Sequence, residues 1–162
     1  MTLVIRSFDR ADGDALGQVF HRAVNEGAAS RYSAEERAAW SPDAPKGDLW
    51  ADRMDRADTV VAERAGVPVG FMSMDPGSGY LDLAFVTPEE MGQGTADMIY
   101  AVLEGRARAR GLSALSTEAS LFAEPFFARH GWRLLMRQAV VRRGVPLKNC
   151  RMKKLLSQAV PA

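Results

Sequence analysis

Hydrophobic and polar positions recur along this chain with two different periods. A short apolar run predicts a first strand over residues 3–6. Apolar or small residues then return every three or four positions, at Leu16, Val19, Phe20, Ala23 and Gly27. This spacing predicts an amphipathic helix over residues 11–27, which the aspartates at its start can cap. A capping-box pattern at Ser33 predicts a second, short helix that reaches Trp40.

The pattern then changes from helical to extended. One or two further helical turns are expected over residues 49–54. Beyond them, β-branched residues predict strands over residues 59–63 and 69–74, which form a hairpin about a turn at Gly66-Val67. A run of Asp, Pro, Gly and Ser ends this hairpin and precedes a strongly apolar strand over residues 80–86.

Helices and strands alternate in the last part of the chain. The predicted elements are a helix over 95–110, a strand over 114–117, a helix over 123–130, and strands over 132–142 and 145–153. The order predicts a mixed α/β (α+β) fold. We expect a single domain over residues 1–162, with a central twisted mixed β-sheet of about six to seven strands flanked by about four helices.

Composition narrows the classes of partner. The chain has 162 residues, is 47% hydrophobic, and carries 21 basic against 20 acidic residues. A net charge of +1 gives no reason to expect a nucleic acid or an anionic membrane as partner. No apolar stretch approaches the roughly 20 residues that span a bilayer. The single cysteine, Cys150, excludes an internal disulfide and favours a cytoplasmic protein, and the two histidines have no metal-ligand spacing.

The segment from residue 83 to 96 carries the clearest chemistry. An apolar strand enters a loop with glycines at 92 and 94, and the loop opens a helix. The first amides of a helix lack internal partners and the helix dipole adds positive charge there, so such a loop can bind a pyrophosphate. By itself this spacing is more often a plain glycine-capped turn than a phosphate site.

This segment resembles the acetyl-CoA loop of the GCN5-related N-acetyltransferase (GNAT) family, V-x-P-x-x-[QR]-x-x-G-x-[GA]. The matching residues are Val86, Pro88, Gly94 and Ala96, with Gly92 between them. Met91 stands where the family usually has Gln or Arg. Residues 123–132 resemble a second family pattern, A-x-x-F-Y-x-x-x-G-[FW]. The ends of the chain resemble a bacterial, YafP-like subgroup.

The resemblance implies an acetyl-CoA-dependent N-acetyltransferase, in which an amine attacks the thioester directly. The backbone of Phe85 and Val86 would pair with the pantetheine arm, and Phe126 and Phe127 would pack nearby. The loop would hold the pyrophosphate through Met91, Gly92, Gln93, Gly94, Thr95 and Ala96. The alternative is a sensor that binds acyl-CoA with weak or no catalysis.

The amine has to lose a proton, so a general base is needed. Asp82 is the first candidate, because it precedes the cofactor segment and Leu81 and Leu83 would shield its carboxylate from water. Its alternative interpretation is a solvated or salt-bridged carboxylate on one strand face. Glu118, at the end of the next predicted strand, is the second candidate. A surface carboxylate is its alternative.

The general acid that the resemblance implies is absent, because Phe127 occupies the position of the family's tyrosine. Tyr80, Thr117 and Ser120 are the other hydroxyls that can protonate the leaving thiolate. A water molecule, or unassisted departure of the thiolate, remains an alternative.

The acceptor is expected to be a primary amine of a small molecule or peptide. Trp40 and Tyr32 lie in the helical region that covers the acceptor site in this family, and they would line it. Ordinary helix packing is the alternative. No metal is expected, and a homodimer is compatible with the sequence.

Overall fold

The computed structural model describes residues 2–156. Its strands are β1 Leu3–Ser7, β2 Asp58–Arg64, β3 Val67–Met74, β4 Tyr80–Val86, β5 Ala114–Ser120, β6 Arg133–Arg142 and β7 Val145–Leu155. Its α-helices are α1 Gly13–Arg22, α2 Ala34–Trp40, α3 Asp48–Asp55, α4 Thr95–Ala109 and α5 Glu124–Arg129. One π-helical turn, Ala23–Gly27, continues α1, and a 3₁₀ turn, Pro88–Glu90, follows β4. The predicted mixed fold is confirmed, with seven strands and five α-helices in these residues.

One sheet contains all seven strands in the order β1-β2-β3-β4-β5-β7-β6. Every neighbouring pair is antiparallel except β4 and β5, which run parallel. The parallel ladder is short, because only Tyr80 and Leu81 have partners on β5. Beyond Leu81 the two strands separate, and the sheet is open at its centre.

A β-bulge lies where the strands separate. Ser73 of β3 faces Leu83, while Met74 faces Leu81, so Asp82 is the extra residue on β4. Residues two apart on a regular strand share a face, and the bulge breaks that rule. Leu81 therefore packs into the core on one side of the sheet and Leu83 into the core on the other.

The two cores cover opposite faces of the sheet. The larger includes Ile99, Tyr100 and Leu103 of α4 and Phe127 of α5. The smaller joins α1 and α3 to the sheet through Leu16, Val19, Trp50, Met54, Val61, Phe71 and Leu83. Helices therefore cover both faces of the sheet.

Local signals located most elements closely. The capping box is confirmed: the Ser33 side chain accepts from the amide of Glu36, and the Glu36 carboxylate accepts from the amide of Ser33. The predicted turn at Gly66-Val67 is wrong by one residue, since the left-handed residues are Ala65 and Gly66. No helix in the described part of the chain is long and apolar enough to cross a bilayer.

Candidate active site

Two cavities meet at the opening between β4 and β5. The first, about 590 Å³, extends along the loop before α4, and we call it the loop cavity. The second, about 420 Å³, lies on the side of α1 and α3, and we call it the acceptor cavity. Both are lined by Trp40, Ala84, Phe85, Ser120, Ala123 and Phe127. A molecule in one cavity can therefore reach a molecule in the other at the split in the sheet.

Glycines shape the end of the loop cavity. Gly92 and Gly94 have φ angles of 75° and 84°, a region that glycine adopts at no steric cost. A Cβ at either position would meet no atom within 4 Å, so both face open space. Gly94 is the N-cap of α4, and the amides of the first turn point away from the helix. The geometry suits a pyrophosphate, which backbone amides and the helix dipole would hold.

Met91, which replaces the family's Gln or Arg, has a packing role. Its side chain lies against Gly27 at the end of the π-helical turn, where a Cβ would approach the methionine methyl to 2.1 Å. This contact attaches the loop to the helix before it. An apolar packing contact therefore stands at the position where the family pattern has a polar side chain.

A buried carboxylate, that of Glu90, also holds this loop in place. Glu90 accepts from Arg64 at 2.9 Å and from the hydroxyl of Thr95. Arg64 holds the pKa of Glu90 below its ordinary value, against the opposing effect of burial. Glu90 is thus ionised, and it ties the loop to β2 and to the first residue of α4.

A charged group flanks the mouth of the loop cavity. The Asp97 carboxylate accepts from Arg129 at 2.9 Å and from His130 at 2.6 Å. The Arg129 guanidinium also lies over the Phe126 ring, 5.4 Å from its centroid. Phe126 lines the cavity. The pairing compensates an acidic side chain that would otherwise oppose an anion at this helix start.

The acceptor cavity has a different chemistry, because charged side chains form much of its wall. Asp82 binds Arg53 of α3 through two bonds of 2.7 and 2.8 Å. The expected shielding of Asp82 by its leucine neighbours is wrong, because the bulge turns those leucines to opposite faces and leaves the Asp82 side chain 33% exposed. The structure matches the alternative interpretation of Asp82, a salt-bridged carboxylate on one face of the strand.

Glu118 lines the same cavity and lies inside β5, which continues to Ser120 rather than ending near Thr117 as predicted. Within residues 2–156 the Glu118 carboxylate has no hydrogen bond or ion pair. It is therefore the less engaged of the two predicted carboxylates.

The hydroxyls considered as proton donors differ in their availability. Thr117 donates to the carbonyl of Leu81 at 2.9 Å, so its proton is occupied. Tyr80 lines the acceptor cavity but not the loop cavity. Burial raises the pKa of Tyr80, and the negative charges of Glu118 and Asp82 add to the effect, so it stays protonated. Ser120 lines both cavities, and its oxygen accepts from the amide of Ala123 at 3.0 Å; within residues 2–156 the hydroxyl proton has no acceptor.

The two aromatic residues predicted to line the acceptor site occupy different environments. Trp40 lines both cavities. Tyr32 is buried and lines neither; its hydroxyl donates to the carbonyl of Lys148 and accepts from the amide of Leu121 at 2.9 Å. These bonds tie the segment before α2 to β7 and to the end of β5. Tyr32 is thus a packing residue outside the walls of both cavities.

Sequence reasoning missed several residues of the walls and assigned others that lie outside them. Gln93 is exposed and Thr95 is buried, and neither lines the loop cavity. The missed residues include Phe20, Arg53, Arg142 and Arg143 of the acceptor cavity, and Glu90, Asp97 and Arg129 of the loop cavity. Since these come from separate segments, no local motif marks them.

Neither a metal nor a nucleophilic thiol is indicated in this region. In the part of the chain that the structure describes, no group of three or more His, Cys, Asp or Glu residues is arranged to hold a metal ion. Cys150 is buried and lines neither cavity. Burial and the nearby Glu124 raise the pKa of Cys150 to about 11, so it remains a thiol.

Comparison with known proteins decides the family. A profile described as an acetyltransferase (GNAT) domain matches residues 28–156. An uncharacterised N-acetyltransferase of Escherichia coli K12, YafP, is 31% identical over 149 residues, which cover 92% of this chain and 93% of YafP. The chain belongs to the GNAT acetyltransferase family.

Solved structures agree with this assignment. A GCN5-related N-acetyltransferase from Rhodopseudomonas palustris has a TM-score of 0.89 and 31% identity, covering 96% of this chain and 97% of its own. The Salmonella typhimurium protein yncA, solved with its cofactor acetyl-CoA, has a TM-score of 0.73 at 18% identity. The match covers 100% of this chain and 98% of yncA. The latter likeness establishes the shared fold. This GNAT chain thus shares its overall fold with solved acetyltransferases.

Proposed function

We propose that this GNAT acetyltransferase binds acetyl-CoA in the loop cavity and transfers the acetyl group to a primary amine held in the acceptor cavity. The observation that carries the proposal is the meeting of the two cavities at the split between β4 and β5. A thioester and an amine that enter from opposite sides would meet there without a covalent enzyme intermediate. Holding both reactants in position lowers the barrier substantially.

The residues of the loop cavity divide the binding of the cofactor. Backbone amides of Gly92 to Asp97 would hold the pyrophosphate, with Met91 and Glu90 fixing the loop from behind. The edge of β4 beyond Leu81 has no partner on β5, so the backbone of Phe85 and Val86 would pair with the pantetheine arm. When bound, acetyl-CoA supplies an activated acyl group as a thioester.

The reacting amine requires a proton acceptor on the side of the acceptor cavity. Glu118 is favoured over Asp82, because its carboxylate has no partner in the described residues whereas Asp82 is held by Arg53. Glu118 would take the amine proton, directly or through water, as the nitrogen attacks the carbonyl carbon. An amide near Phe85 would stabilise the oxyanion that develops.

The carbon–sulfur bond then breaks and the thiolate needs a proton or solvent. Phe127 has none to give, and it is buried against Trp132 with ring centroids 4.8 Å apart. Ser120 is the hydroxyl best placed for this role, since it lines both cavities; Tyr80 is the second candidate. A thiolate can also leave unassisted near neutral pH, because a thiol pKa is low.

The experiment combines two measurements on the purified chain. Calorimetric titration with CoA tests the loop cavity, and release of free thiol from acetyl-CoA with a panel of amines tests transfer. We expect CoA binding together with amine-dependent thiol release. Binding without release from any amine would instead support the alternative, an acyl-CoA sensor. Absence of CoA binding would contradict both.

A further inference from the structure

The charges of the acceptor cavity indicate more about the acceptor than an amine alone. Its wall carries two carboxylates, Asp82 and Glu118, and three arginines, Arg53, Arg142 and Arg143. Arg53 and Asp82 neutralise each other through their two hydrogen bonds. One carboxylate and two guanidinium groups remain. The cavity therefore combines an attraction for a cation with a stronger attraction for an anion.

Arg142 and Arg143 differ from most arginines of this protein. Many others bind a carboxylate directly, including Arg6, Arg10, Arg22, Arg106, Arg110, Arg129 and Arg137. Within residues 2–156, Arg142 and Arg143 have no carboxylate partner; each donates only to a backbone carbonyl, of Val141 and of Ala39. Guanidinium groups in this state have donors left for a carboxylate or phosphate.

The backbone brings these arginines to the cavity. Arg143 has a φ of 49° in the two-residue turn between β6 and β7. Its guanidinium reaches the carbonyl of Ala39 at 2.7 Å, at the end of α2. The neighbouring Trp40 lines both cavities. An anion bound at this turn thus lies beside the junction where transfer would take place.

We propose that the acceptor is an amino-acid-type molecule, a primary amine that carries its own anionic group, with Arg142 and Arg143 binding the anion while Glu118 faces the amine. This inference rests on the proposed function. Three aromatic side chains in the same wall, Phe20, Trp40 and Phe85, would pack against an apolar side chain of the acceptor. Polycations such as spermidine lack the anion and would meet two positive charges.

The test compares acceptors that carry the anion with acceptors that lack it. Phenylalanine and leucine are assayed against phenylalaninamide and leucinamide, with spermidine as a polycation, by thiol release. We expect kcat/KM to favour each amino acid over its amide by 10-fold or more. Replacing the carboxylate by an amide also changes the basicity of the amino group. The decisive quantity is therefore the change, between variants at one pH, in the ratio of kcat/KM for the amino acid to kcat/KM for its amide. In the double variant Arg142→Gln, Arg143→Gln the ratio should fall at least 10-fold.

Arg133→Gln is the matched control, because Arg133 is an exposed arginine on the same strand and lines neither cavity. It should leave the ratio unchanged. A ratio that the double variant does not alter, or a preference for spermidine, would overturn the inference while leaving acetyl transfer intact. If CoA binds and no amine releases thiol, the proposed acetyl transfer fails. The inference about the acceptor is then tested by calorimetric titration of phenylalanine and of phenylalaninamide into the CoA-loaded protein. Equal binding of the two, or no binding of either, would overturn the inference.

Discussion

The loop cavity and the acceptor cavity meet at one opening but are assembled in different ways. The part of the loop cavity that we propose binds the cofactor comes from one continuous segment that runs from Phe85 to Asp97, and backbone groups dominate its chemistry. The acceptor cavity takes side chains from α1, α2, α3, β4, β5 and the β6–β7 turn. A backbone site tolerates changes of side chain, as Met91 illustrates. A side-chain site can change its ligand with few substitutions.

The first prediction removes the backbone site. Gly94→Val places a β-branched residue at a φ of 84° and a side chain in the space assigned to the pyrophosphate. We expect CoA affinity to fall about 100-fold or more, roughly 3 kcal/mol. Gly105→Ala is the control: it lies within α4, where a Cβ meets no atom within 4 Å, and should raise stability by about 0.5–1 kcal/mol with CoA affinity unchanged. Calorimetry of both variants measures the effect, and near-normal affinity in Gly94→Val would contradict the site.

The second prediction ranks the two carboxylates of the acceptor cavity. Glu118→Gln should lower kcat/KM about 100-fold, the lower end of the range for a general base, and leave CoA binding unchanged. Asp82→Asn should cost about 10-fold, because it loosens Arg53 rather than removing the proton acceptor. The pH profile of kcat/KM is recorded for both variants. A larger loss in Asp82→Asn, with the acid limb of the profile removed, would return the role to Asp82.

The third prediction tests how far the acceptor cavity depends on remote packing. A Cβ at Gly17 of α1 would lie 1.8 Å from the carbonyl oxygen of Pro45, which belongs to the segment before α3. Because that atom is backbone, Gly17→Ala should destabilise the fold by about 1–3 kcal/mol. It should also reduce turnover more than CoA affinity, since α3 carries Arg53. At Gly13 the nearest atom is 3.5 Å away, so Gly13→Ala should not destabilise. Urea unfolding of the pair decides, and equal stabilities would refute the contact.

The smallest effect concerns the leaving thiolate at the junction of the cavities. Ser120→Ala should lower kcat about 10-fold or less with unchanged CoA affinity, because unassisted departure remains available. Phe127→Tyr, which adds the hydroxyl that the family pattern carries, should change kcat less than twofold, since the ring is buried. Thiol release under saturating amine measures both. A rise in kcat for Phe127→Tyr would mean that protonation of the thiolate limits the native protein.

Local sequence signals were sufficient for most elements and for the glycine-rich turn that opens α4. The capping box at Ser33, the β-branched runs and the glycines at 92 and 94 act over a few residues, so their consequences appear without knowledge of the rest of the chain. They were insufficient for side chains that meet across the fold. Tyr32 was predicted to line the acceptor site, and its hydroxyl instead bonds to segments about 90 and 116 residues away.

The sequence by itself determined the order of elements, the glycine loop, the missing tyrosine at Phe127 and the family. Tertiary structure alone decided which charges meet. The bulge at Asp82 inverts the alternation of faces on β4 at the point where the ladder with β5 ends, and its register depends on pairing with β3. Arg53 and the adjacent pair Arg142 and Arg143 reach one cavity only after two distant segments pack against the sheet. Local backbone conformation follows from residues that are neighbours in the chain. The electrostatic field inside a cavity is the sum of contributions from charged side chains that only the folded packing brings together.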